Sequence, residues 1–588
     1  MIHSDSLSLK LEKVICNILI MNKKEALEQL WTALYPTDDQ TRLKTFLLQL
    51  DTREHAVNTE PSDWYKQAVV YSLYVDLYNK NFAGLSHKLD YLQGLGVTCL
   101  WLLPILDSPM RDAGFDIRNY DLIRHDLLGL EPGFERKKQE EVFGGFLHEA
   151  HKRGLRVIFD IALNHTSDEH PWFQQAKSSA ENAFRNYYIW SKDPTLYGEA
   201  RILFKGMEES NWEKMGEWNY FHRFFNFQPD LNYRNPDVLL SMTQSLLYWQ
   251  SLGVDGFRAD AIPYLWKEEG TDCENLPKTH LIVKFFRAAL DYVKPGTMLL
   301  AEACQKPQKL VKYLGGDECH AAYHFPLMPQ IYKALALQRA EPVIETLSPE
   351  VTPPIPDSAQ WFTFLRCHDE LSLELVYVSE EDRKFIHESY CREPEWNFRL
   401  GEGISARLAN LMNFDDKRIA LAFSIMLSLP GTPVIYYGDE FGKENDQNYY
   451  KEMIALTGKN DTRFLVRGKI DWKKRETQLA DPTSFQSKVF TRLQQLLKIR
   501  HQHPAFGHGA LEFVRLKTKN GEPASEVLAY RRTINNDVTL IVQNLSEKSI
   551  EVELSCIKNK MTDLLTDKLH PSSVLMLQPL SYHWFACS

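Results

Sequence analysis

The sequence predicts an α/β protein whose core is a (β/α)8 barrel, and three observations carry that expectation. From about residue 60 onward, short β-rich runs alternate with amphipathic helical stretches, the pattern of a parallel sheet with crossover helices. The β-rich runs, at 69–75, 97–103, 155–161, 254–260, 298–302, 321–325, 361–366 and 433–437, number eight, as a closed barrel of this kind requires. Acidic residues stand at the ends of the later runs, where barrels of this type carry their chemistry.

The elements follow in chain order. Residues 1–60 read as an N-terminal helical extension, because Ala26, Leu27, Leu30 and Leu34, then Leu43, Phe46, Leu47 and Leu50, recur at helical spacing. Residues 61–164 and 237–504 supply the barrel. Between its third strand and the helix beginning near Asp237, residues 165–236 are rich in Trp, Tyr, Phe and charge. A connection of that length is functional or a small domain of its own. A second long segment runs from Asp369 to about Phe414. Residues 505–588 turn to alternation, as in Val538–Val542 and His583–Phe585, which predicts a terminal antiparallel β-domain.

Composition narrows the function classes. The net charge of −10 has no basic stripe to interrupt it, so no nucleic-acid partner is expected. The apolar run Val14–Met21 is too short to span a bilayer and no other long apolar run appears, so no membrane partner is expected either. The nine cysteines include no CxxC pair and are odd in number, a usage that suits reduced thiols and a cytoplasmic protein.

Three carboxylates close late strands: Asp260 in Gly256–Asp260, Glu302 in Leu299–Ala303, and Asp369 in Leu365–Glu370. In a barrel all three face one funnel. One acidic residue there is an ordinary helix cap or loop contact; three, with Arg258 and His368 beside them, mark a site. Glycosidic cleavage needs two carboxyl groups, one ionised and one protonated, and clustering holds a proton on one of them. Arg258 shares a strand face with Asp260, and its cation would keep that carboxylate ionised.

These segments resemble the motifs of glycoside hydrolase family 13, the α-amylase family. Asp160–His165 resembles the first motif, Gly256–Asp260 the second, Glu302 the third and His368-Asp369 the fourth. The resemblance implies Asp260 as nucleophile, Glu302 as general acid/base and Asp369 as transition-state stabiliser. It implies substrate contacts from Asp116, Tyr120, His165, Phe227, Arg258 and His368. Asp112 and Arg463 match a pair that closes the floor of the glucose pocket. The positions three and four after Asp260 are Pro263 and Tyr264, where endo-acting members carry a Lys-His pair, so exo action on a short sugar is expected.

Within the family, Glu209–Trp212, His222–Phe225, Gln228–Asn232, Glu274–Pro277, His324–Pro329 and Leu427–Pro433 resemble trehalose synthases. Val75–Tyr78, Phe82–Leu85, Asn460–Phe464, Asp481–Ser484 and the N-terminal extension resemble amylosucrases instead. Three reactions on a small sugar therefore stay open: maltose–trehalose interconversion, glucosyl transfer from sucrose, and α-glucosidase action on maltose. A non-catalytic relative is the reading from another class, and it would have lost the nucleophile or the acid. The chemistry requires no cofactor; a structural calcium at Asn164 with Glu199 is the one metal the resemblance suggests.

Overall fold

The computed structural model describes residues 23–53, 55, 63–554, 561–570 and 573–587; the run Val14–Met21 lies outside them. Eight parallel strands close on themselves: β1 (Val70–Leu73), β2 (Cys99–Leu102), β3 (Arg156–Ala162), β4 (Gly256–Asp260), β5 (Met298–Ala301), β6 (Ala321–Tyr323), β7 (Gln360–Phe364) and β8 (Thr432–Tyr436). Closure is made where Val70 pairs with Val434. Each expected run holds its strand, with ends shifted by a few residues. Val75 already opens a short helix, Val75–Asn79.

The outer ring is α1 (Leu89–Leu95), α2 (Arg136–Lys152), α3 (Pro236–Ser251), α4 (Pro277–Val293), α5 (Pro307–Leu310), α6 (Leu327–Leu337), α7 (Asp416–Ser428) and α8 (Phe485–Gln502). Because helices cover one sheet face and lumen side chains the other, both faces of each strand are buried. That is why the strands appear as unbroken apolar runs such as Cys99–Leu102 rather than as alternation. Helix starts are set locally. Asn235 accepts from the Asp237 N–H, with Pro236 in the first turn of α3, and Asp415 caps the Lys417 and Arg418 amides at the head of α7.

Helix 23–34 and helix Thr41–Asp51 pack on α4, with Trp31 and Phe46 each about 6 Å from the Phe285 ring. The segment after β3 carries a three-stranded antiparallel sheet, in which Trp218–Phe221 lies between Trp190–Ser191 and Trp212–Met215. The segment after β7 carries helix Glu380–Tyr390 and a second small sheet. The C-terminal residues form a six-stranded and a three-stranded antiparallel sheet.

The larger terminal sheet docks on the end of α7. Arg532 Nη1 donates to the Ser428 carbonyl at 2.8 Å and Arg500 Nη1 to the Leu427 carbonyl at 2.5 Å. Both guanidiniums are buried, and burial pulls them down, to about 9 for Arg500 and about 10 for Arg532. They satisfy carbonyls that a helix terminus leaves without partners and oppose the negative end of its dipole. Among the described residues no helix is long and apolar enough to cross a membrane.

Candidate active site

Strand register assembles the site. Asp160 lies opposite Arg258 and Ala162 opposite Asp260 across the β3–β4 ladder. Arg258 Nη1 reaches Asp260 Oδ1 at 2.7 Å and also binds Asp160. Its Nε donates to the Tyr323 hydroxyl at 3.1 Å, and its Nη2 stands 4.0 Å from Glu302 Oε1. Glu302 follows β5. Its Oε2 accepts the Ala261 N–H at 3.1 Å, which that residue presents from a left-handed backbone (φ 60°), and Cys304 Sγ lies 3.6 Å from Oε1.

Asp160, Asp260 and Glu302 thus face one guanidinium. Burial pushes the Asp260 carboxyl up, Arg258 pulls it back, and Glu302 and Asp160 raise it further. Burial and the two neighbouring carboxylates thus oppose ionisation of Asp260, and Arg258 favours it. The cation is 2.7 Å from Asp260 but 4.0 Å from Glu302. That contrast puts the stronger support for a negative charge on Asp260.

Asp369 has the opposite balance. Burial disfavours its charge, but His368, Arg463 and Arg467 together hold it well below the usual carboxylate range. His368 Nε2 is 3.0 Å from Oδ2, and Arg463 and Arg467 each lie 3.2 Å from Oδ1. Arg463 Nη2 also reaches Asp112 Oδ1 at 3.3 Å, and Asp112 Oδ2 accepts from Gln228 Nε2 at 3.0 Å. Arg463 is gripped in turn by Asp461 at 2.6 Å. The Asp112–Arg463 pair is buried inside the wall of the site, not a solvent-exposed bridge.

These groups line a cavity of about 110 Å³, small beside the roughly 300–1,000 Å³ of drug-sized pockets. His165, Arg258, His368, Asp112 and Arg463 line it with the three carboxylates. Asp116, Tyr120 and Phe227 stand behind the wall. Asp116 accepts from Ser108 Oγ at 2.8 Å and from the Arg111 and Asp112 amides, tying the loop after β2. Tyr120 donates to the Ala162 and His165 carbonyls. Phe227 stacks on Phe225, 5.1 Å between centroids, beneath the Arg111 guanidinium.

Sequence reasoning passed over Phe115, whose ring stacks on His368 at 5.5 Å, and Phe204, Phe224 and Phe398 on the outer wall. Phe115 adjoins Asp116, so the aromatic beside a chosen acid was the available signal. At the mouth, Arg201 bridges Glu274 and Glu374, and Arg399 bridges Glu374 and Glu402. Lys205 reaches Glu402 at 3.1 Å, so the segments after β3 and β7 are tied together above the cavity.

A larger hollow of about 330 Å³ lies between the inserted segment and the loop after β4. Cations and rings already cover two of its three tryptophans: Arg185 and Phe173 cover Trp190, and Arg234 and Lys278 cover Trp266. Calcium does not fit at Asn164. Its side-chain oxygen accepts from Lys267 Nζ at 2.8 Å, and Glu199 is exposed and not among its partners. Cys367, His368 and Asp369 bring donor atoms within 4.8 Å of one another, but Arg463 and Arg467 already neutralise the carboxylate there.

The family model for the α-amylase catalytic domain matches residues 58–509. The chain belongs to the α-amylase family. A trehalose synthase/amylase of Mycobacterium tuberculosis is 38% identical over 85% of this chain and 84% of its own length. A trehalose synthase of Thermus thermophilus is 40% identical over 82% of this chain and 50% of its own. Among solved structures, the α-amylase of H. orenii superposes with a TM-score of 0.68 at 22% identity, covering 89% of this chain and 100% of that one. That last likeness is one of fold.

Proposed function

We propose that this α-amylase-family enzyme interconverts maltose and trehalose with retention of the α-configuration. The observation that supports the proposal is a small cavity, about 110 Å³, that joins Asp260, Glu302 and Asp369 to the buried Arg463–Asp112 pair in its wall. A glucosyl unit fits against Asp260, Glu302 and Asp369 but cannot extend inward past that pair. In the proposed cycle Glu302 protonates the glycosidic oxygen and Asp260 takes the anomeric carbon from the other face. The leaving glucose departs into the space beneath the ion-paired mouth. Held there away from water, it turns and re-attacks through another hydroxyl while Glu302 recovers its proton. Two inversions give net retention. Asp369, kept ionised by His368, Arg463 and Arg467, binds the ring hydroxyls and stabilises the positive charge that develops. The names of the relatives support this choice of sugars.

Incubation with maltose, trehalose and sucrose separately, with products resolved by chromatography, tests the proposal. Trehalose from maltose, and maltose from trehalose, with little free glucose is the expected result. Fructose and a growing glucan from sucrose would establish the amylosucrase-like reading in its place, and glucose alone from maltose an α-glucosidase. A cytoplasmic location belongs to the same proposal: the seven described cysteines are all free, as in a reducing compartment, and cell fractionation checks it.

A further inference from the structure

Three separate stretches of chain meet at one buried point beside the active site. Asn164 follows β3, Asp230 lies on the return of the inserted segment, and Lys267 sits in the loop after β4. Asn164 and Asp230 are fully buried and Lys267 is 3% exposed. Lys267 Nζ donates to Asn164 Oδ1 at 2.8 Å and lies 2.7 Å from Asp230 Oδ2. The other Asp230 oxygen accepts the Arg223 amide at 2.9 Å, and the Leu231 amide donates to the Asn164 carbonyl at 2.8 Å. A short β-bridge joins His165 to Asp230, so the same junction fixes an imidazole that lines the cavity.

We propose that the Lys267 ammonium is a built-in substitute for a metal ion, holding the inserted segment to the barrel without calcium. Two oxygens from different segments, one carboxylate and one amide, are the donor types a hard cation takes. Calcium requires six to eight oxygens at roughly 2.3–2.6 Å, and the ammonium occupies the position between the two that are present. Charge points the same way. One carboxylate faces one ammonium, and a divalent ion added to that pair would leave a buried excess of positive charge. A lysine this deep is retained only because a carboxylate and an amide oxygen receive it. The inference stands whichever sugar the enzyme takes.

Metal analysis and thermal unfolding of the full chain provide the test. After dialysis against CaCl2 and removal of free ion, wild-type protein is expected to hold well under one calcium per chain. Its Tm is expected to be the same in EDTA and in millimolar CaCl2. Lys267→Ala leaves Asp230 buried without its cation and is expected to lower Tm by roughly 5 °C or more. Because the vacated space is flanked by two oxygens and has room for waters to complete the coordination, CaCl2 should restore part of that loss and NaCl none. Stoichiometric calcium in the wild type, or a Tm that EDTA lowers, overturns the proposal. So does a Lys267→Ala loss that calcium leaves unchanged. Should that variant not fold, Lys267→Met with Asp230→Asn, which removes both charges, is expected to fold and to ignore calcium. A calcium-stabilised double variant would also overturn the inference.

Discussion

Replacing Arg258 by lysine removes a guanidinium whose Nη1 serves two carboxylates at once, Asp160 and Asp260. At an effective dielectric of about 20, a unit charge at 2.7 Å is worth about 6 kcal/mol, and at about 6 Å about 3 kcal/mol. The difference, about 3 kcal/mol, is the electrostatic support Asp260 loses when the contact is broken. A lysine head reaches less far along the strand's side-chain direction and lacks the planar guanidinium, so about half is taken as recovered. The remaining 1.5 kcal/mol or so corresponds to about one pKa unit. The acid limb of kcat/KM for Arg258→Lys, followed from pH 4 to 8 on a chromogenic α-glucoside, is therefore expected about one unit above that of the wild type. On that limb the rate falls about tenfold. Circular dichroism at each pH separates this effect from unfolding. An acid limb left where it was, with kcat reduced or not, would refute the argument that Arg258 keeps Asp260 ionised.

Four further outcomes are expected. Asp260→Asn should lower kcat by roughly 10⁴-fold or more; a rate within tenfold of wild type removes Asp260 as nucleophile. Asp112→Ala opens the floor while Arg463 keeps Asp461 and Asp369, so maltotetraose should newly yield maltose as a first product; an unchanged product pattern refutes the closed floor. Cys304→Ser places a stronger donor near Glu302 Oε1 and should move the basic limb of kcat/KM down by about half a pH unit, a shift that an uninvolved thiol would not give. Burial and the neighbouring Asp369 push the Glu370 carboxyl up from 4.5 to about 7, so the wild type loses stability as pH rises between those values. Glu370→Gln should gain on it over that window by up to about 3 kcal/mol in urea unfolding, and parallel pH profiles would show that Glu370 is not held neutral.

The barrel was legible because its strands are buried on both faces, which leaves continuous apolar runs bounded by Gly, Asp and Pro. Asp260, Glu302 and Asp369 were legible because they terminate such runs. Lys267 was not. Lys267-Glu268-Glu269 reads as a solvated loop, and only the return of the inserted segment, carrying Asp230, buries its first member. Phe204 and Phe398 lie in segments without periodicity, so nothing local assigns them a face. Arg399 and Leu400 take left-handed backbone conformations, at φ 48° and 55°, in a turn that carries no glycine at those positions to announce it. Such features depend on contacts between distant stretches of chain, which spacing within one stretch does not encode.

Arg532 belongs to the terminal sheet, Arg500 to the last barrel helix, yet both complete the end of α7. The boundary near residue 505 is therefore a poor place to divide the gene. A barrel expressed without the sheet would keep Arg500 but expose the Ser428 carbonyl that Arg532 covers, and a sheet borrowed from a relative would have to bring its own guanidinium to the same spot. Domain exchange in this molecule is constrained less by its linker than by the buried groups that the sheet sets against α7, Arg532 together with Tyr530, Gln543 and Trp584.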